Sequence, residues 1–148
     1  MRQPVWITVL LYWFGAAYAL NGAAMLFAPS LWFFALVPGV PETGAFNAHL
    51  VADGGTFYIP IGIALIAAAR DAERHLAAVA IAAGATLLHA GLHLYSHEAG
   101  LLSWEHVSTE AALIYVPALL LTAICARLIF KPAPAAIRRS PIASAQER

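Results

Sequence analysis

Four long apolar runs divide the chain, each bounded by a turn cluster or a short polar stretch. They cover residues 5–28, 45–69, 75–96 and 104–130. Each is at least as long as the ~20 residues a helix needs to cross the hydrocarbon core of a bilayer. Pro29-Ser30 closes the first run, and Leu31-Trp32-Phe33-Phe34 then has the aromatic character of a segment at headgroup depth. Pro38-Gly39-Val40-Pro41 is a turn cluster that no helix would contain. The charged stretch Arg70–Arg74 separates the second run from the third, and Ser96 to Leu102 separates the third from the fourth. Ser103 is placed to cap the fourth helix, with Glu105 in its first turn where the helix dipole favours an acid. The pattern predicts an all-α fold: a single integral membrane four-helix bundle over residues 1–130. Residues 131–148, rich in Pro, Ala, Ser and Arg, predict a disordered cytoplasmic tail.

Composition agrees with this division. Of 148 residues, 61% are hydrophobic and 11% charged, too apolar for a small soluble domain. The formal net charge is zero and no basic stripe appears, which argues against nucleic acid as a partner. One cysteine, Cys125, sits inside an apolar run, so no disulfide or dithiol pair can form within the chain. The start also resembles a signal peptide, with Ala17-Tyr18-Ala19 as a small-x-small site. The apolar run continues through that site and no soluble domain follows, so residues 5–28 read as a retained span.

Charge sets the expected orientation. Arg2, Arg70, Arg74, Lys131, Arg138 and Arg139 all fall on one side of a four-span protein, and the other two loops carry neither Lys nor Arg. Basic residues in short loops mark the cytoplasmic side. Both termini and the middle loop are therefore expected in the cytoplasm, in a multi-pass protein of the cell inner membrane.

Polar residues inside the spans are few and ordered. His89, His93 and His97 recur every fourth residue, which puts their rings on one stripe of a helix. His49 with Asp53 and His106 with Glu110 are further pairs of the same spacing. Helix rise, ~1.5 Å per residue, puts these pairs and Asn21 within about 3–12 Å of the outer ends of their spans. Ionisable groups inside a membrane are costly and point to function. The bland alternative is that each ring reaches water or a backbone carbonyl. Three pairs at one depth favour a shared site.

Imidazole and carboxylate are the usual ligands of zinc, copper and non-haem iron, and bundles build such sites from i, i+3 or i+4 pairs on facing helices. His49, Asp53, His89 and His93 are the first choice of ligands. His106 and Glu110 are candidates for a second metal or for supporting the ligands, with Glu110 also a possible proton shuttle. His97 reads as a solvated loop residue and His75, at the opposite end, has no role. Asn21 and Met25 suit bundle packing better than ligation. The His-Glu-x-x-His of zinc proteases and the paired Glu-x-x-His of diiron bundles are both absent.

The stretch Phe46-Asn47-Ala-His49-Leu-Val-Ala-Asp53-Gly54, followed by His89-x-x-x-His93, resembles a pattern of small uncharacterised four-helix bacterial membrane proteins, DoxX-like in layout. The resemblance covers most of the chain from Asn21 to His97. It implies no particular activity, but it implies that His49, Asp53, His89 and His93 belong together.

Three functional readings follow. The first is a metal site near the outer face, for redox chemistry or metal handling, in which an open metal position would activate water or oxygen. The second is b-type haem held by His49 with His89 or His93, Gly54, Gly55, Gly84 and Gly91 giving room for the macrocycle. The third is an accessory subunit of a larger membrane complex, or a homo-oligomer, whose histidines are only hydrogen-bonded. The metal reading accounts for most of the polar residues.

Overall fold

The structure, a computed structural model, describes residues 3–130. The expected tail lies outside the described residues. Four long helices carry the fold: α1 (Val5–Phe27), α2 (Ala48–Ala68), α3 (Leu76–Glu98) and α4 (Trp104–Ile129). Among the described residues there is no strand. Each long helix is apolar enough to cross a membrane, and at 21–26 residues each reaches about 32–39 Å, against ~30 Å of hydrocarbon. Side chains such as Trp13, Leu20, Phe57 and Leu88 stand exposed on the outside, where a bilayer would cover them.

Local chemistry sets the helix ends. α2 opens at Ala48, not at 45, because the side chain of Asn47 accepts from Leu50 N at 3.1 Å and caps the first turn. Ser103 does the same for α4, accepting from His106 N at 3.1 Å. Each such cap contributes ~1 kcal/mol. The aromatic segment after α1 folds back over the bundle through one α-helical turn (Pro29–Leu31) and a π-helical turn (Trp32–Leu36). It is only partly the surface segment its composition suggests. Leu31 and Phe34 are exposed, but Phe33 is buried against Met25 and Val51, and Trp32 Nε1 donates to Asn21 Oδ1 at 2.8 Å.

The bundle is built as two helix pairs. α1 and α2 make the most extensive contact, α3 and α4 the next, while α1 and α4 hardly touch. The first pair is antiparallel and closes on glycine. A Cβ on Gly15 would stand 2.8 Å from the Gly62 carbonyl oxygen, and one on Gly22 would stand 2.9 Å from that of Gly55. A Cβ on Gly62 would collide with Ala19 N. Where lipid removes the hydrophobic drive between helices, this close backbone approach is what packing offers instead. The pairs join at the terminal end through one core that includes Ile7, Leu11, Leu65, Val79, Leu121 and Ile124. Gln3 ties the chain start to the α2–α3 turn, donating to Ala69 O at 3.1 Å and accepting from Ala72 N at 2.7 Å. The described chain ends and the Arg70–Arg74 turn therefore share one end of the bundle.

Two outcomes test this architecture. Gly62→Ala should lower stability by about 1–3 kcal/mol through overpacking, whereas Gly84→Ala, with open space around it, should be neutral or slightly stabilising. Thermal melts in detergent read the contrast, and equal melting of the two variants would refute the glycine interface. For orientation, a cysteine at exposed Gly100 should react with an impermeant reagent outside intact cells, and one at exposed Arg74 should not. Labelling at Arg74 would reverse the assigned sides.

Candidate metal centre

At the end of the bundle away from the termini, α3 and α4 turn polar side chains toward each other. His106 and Glu110 sit one turn apart on α4 and are 3% and 4% exposed. His93 faces them from α3. Glu110 Oε2 lies 2.9 Å from His106 Nε2 and 3.4 Å from His93 Nδ1. The His93 and His106 rings are nearly parallel, with centroids 6.3 Å apart. One donor atom from each of the three residues lies within 4.8 Å of the others. His93 Nδ1, His106 Nε2 and Glu110 Oε2 are also buried without a well-formed hydrogen bond. They are close enough to share one cation and badly aligned to satisfy one another. Leaving such atoms unpaired is expensive in an apolar interior. The cluster could hold a metal ion.

Each histidine is held by its other nitrogen. His106 Nδ1 is 3.3 Å from Glu42 Oε2, a carboxylate from the short 3₁₀ helix Val40–Thr43. With the Nδ1 proton donated to Glu42, Nε2 presents its lone pair to the cluster. His93 Nε2 is 3.1 Å from His89 Nε2, and His89 Nδ1 is 3.2 Å from the Tyr58 hydroxyl. That chain orients His93 in the same way, with Nδ1 turned inward. A carboxylate on the outer nitrogen is a usual support of a ligating histidine, and the His89 ring offers an acceptor at the same place on His93. Gly39 covers the site from the loop. Its φ of 84° is left-handed, and a Cβ there would stand 2.9 Å from His106 Cε1 and 3.3 Å from Glu110 Oε1. Only glycine meets both demands.

Beside the cluster lies a cavity of about 950 Å³, reached by His89, His93 and Glu110 and otherwise walled largely by apolar and aromatic side chains.

The expected residues divide unevenly. His93, His106 and Glu110 come together, so the two residues ranked as supporting are at the centre. His89 touches His93 but stands outside the three-residue group. His49 and Asp53 pair with each other at 3.4 Å on an exposed face, 87% and 57% exposed, and neither lines the cavity. The set His49, Asp53, His89 and His93 is therefore not assembled, and neither is a haem pair built on His49. The reason is rotational. Gly55 and Gly62 turn one stripe of α2 onto α1, and Asp53, two positions before Gly55, lies ~200° round the helix. Of the glycines expected to make room for a macrocycle, Gly54 meets Met25 and Gly55 meets Gly22 and Leu26, while Gly84 and Gly91 face open space. His97 Nδ1 is 3.1 Å from Leu102 O, a loop contact, and His75 stands at the terminal end as the residue preceding α3. Asn21 serves Trp32 and lies 3.5 Å from Met25 Sδ, which is packing rather than ligation. Sequence reasoning missed Glu42, Gly39 and Tyr58. Glu42 carried one usable signal, as an acid in the loop that returns over the polar end of the spans.

No protein-family model matches the chain, and no curated protein or solved structure matches it.

Proposed function

We propose that this chain is an integral membrane metalloprotein in which His93 Nδ1, His106 Nε2 and Glu110 Oε2 hold one transition metal. The observation that carries this reading is the convergence of three buried, poorly partnered donor atoms within 4.8 Å. Two histidines and one carboxylate form an open set of the kind used for zinc hydrolysis and non-haem iron chemistry, not a closed structural set of four. When bound, a metal there supplies Lewis acidity or redox capacity. The chain's own residues do the rest. Glu42 and the Tyr58–His89 pair fix the ring orientations, Gly39 lets the loop backbone close over the site, and the cavity gives access beside His93 and Glu110. This favours chemistry on a molecule held next to the site over transfer of the metal itself. The DoxX-like resemblance remains a proposal for the family. A second reading, as one subunit of a larger complex, is favoured by the exposed His49–Asp53 pair, since ionisable groups on spans usually face a partner or a cavity.

Elemental analysis of purified protein tests the first reading. Wild type should carry about one zinc, copper or iron per chain, lost in His93→Ala, His106→Ala and Glu110→Gln and kept in His49→Ala and Asp53→Asn. Acidification to about pH 5, below the ordinary histidine value of about 6.5, should release the ion as protons compete for the rings. A metal-free wild type that melts identically with and without each of the three ions would refute the centre and leave the subunit reading. For the supporting carboxylate, Glu42→Gln should weaken metal binding by about 10–100-fold without abolishing it, measured by competition with a chelator of known affinity. Unchanged affinity would remove Glu42 from the site.

A further inference from the structure

The cavity has a chemistry of its own. Its wall is apolar over most of its extent, with Phe14 and Phe33 deep in it and Trp13 and Leu113 69% and 59% exposed. Those last two stand on α1 and α4, the helices that hardly touch, so the cavity opens sideways, toward where lipid would lie. Several polar side chains on the wall are already engaged. Asn21 accepts from Trp32, Asn47 caps α2, Thr43 bonds Val40 O, and Thr86 bonds the carbonyls of Ala82 and Ala83. Among the described residues, free hydrogen-bonding capacity is left at the Tyr58–His89 pair, at the hydroxyl of Tyr18, whose ring stands 5.7 Å from that of Tyr58, and at the cluster beside them. Among the described residues no lysine or arginine lines the cavity, and the carboxylate on its wall is that of Glu110.

We infer that this cavity binds a neutral apolar molecule with a single polar head, of the class of a long-chain alcohol, drawn from the bilayer with its oxygen on the Tyr58–His89 pair. A volume of about 950 Å³ is at the upper end for one drug-sized ligand. With no metal bound, an anionic head would meet the Glu110 carboxylate and no lysine or arginine among the described residues lining the cavity, which is the arrangement a site uses to reject a ligand. The inference goes beyond metal binding and stands on the cavity wall alone.

Tryptophan fluorescence tests it. The chain has four tryptophans. Trp6→Phe, Trp13→Phe and Trp104→Phe together leave Trp32, on the cavity wall, as the reporter. In nanodiscs, dibrominated octadecanol should quench Trp32 saturably, at a mole fraction about tenfold below that at which dibrominated phosphatidylcholine quenches equally. In chelator-treated protein, dibrominated stearate, ionised at alkaline pH, should show no saturable phase. Tyr58→Phe should weaken the alcohol by about three- to tenfold, the loss of one hydrogen bond. Ala85→Phe or Ala17→Phe, filling the cavity from opposite walls, should remove the saturable phase while the helical circular dichroism is kept. Quenching that rises linearly and equally with alcohol and phospholipid overturns the inference, as does stearate binding as tightly as the alcohol in chelator-treated protein, or indifference to Tyr58→Phe. The titration repeated with chelator separates the two proposals. Saturable quenching in a protein that holds no metal as purified or after addition of zinc, copper or iron would refute only the metal centre, and stoichiometric metal without saturable quenching would refute only the ligand.

Discussion

The Glu110 carboxylate is the constraint on which the end of the bundle away from the termini depends. It is 4% exposed, on a helix long and apolar enough to cross a membrane, and among the described residues no lysine or arginine lines the cavity beside it. A buried carboxylate in such surroundings is tolerable only if neutral or paired with positive charge. The two imidazoles facing it can supply that charge as protonated rings or as the neutral ligands of a cation. Their placement follows from α3 and α4 packing together, with His93 on one helix and His106 one turn from Glu110 on the other. The left-handed Gly39, with no side chain to insert, then lets the loop pass directly over them.

The fold was largely legible because membrane spans announce themselves by length and composition, and their ends by turn residues and caps. Asn47 and Ser103 illustrate how local this is, since each caps its own helix by one side-chain bond. The site was half legible. A spacing of four says that two side chains share a stripe, but it does not say which way the stripe faces. His49–Asp53 and His106–Glu110 are equivalent in sequence, and the structure turns the first outward and the second inward. The deciding residues are glycines. Gly15 and Gly22, and Gly55 and Gly62, each seven apart, mark the stripes by which α1 and α2 meet. An antiparallel pair closed on glycine leaves no freedom to rotate α2 and bring Asp53 inside. Glu42 and Tyr58 were illegible for a different reason. They reach the site across gaps of 64 and 31 residues, which no local spacing encodes.

The division into helix pairs gives the site a further property. All three inward donor atoms come from α3 and α4, so the triad belongs to one half of the bundle. The other half aims the two histidines, Glu42 of the α1–α2 connection directly on His106, and Tyr58 of α2 on His93 through the α3 residue His89. The halves share a continuous core only at the terminal end, and the cavity lies among all four helices near the site. A change in their separation would therefore leave the donor atoms near one another while altering the hydrogen bonds that orient the rings. Outer-nitrogen partners govern ligand basicity and ring direction, so such a change acts on the quality of the site without dismantling it. The Tyr58–His89 contact is where this coupling is most direct. One partner stands on each half, the contact faces the cavity, and the next link along the chain is the ring of His93.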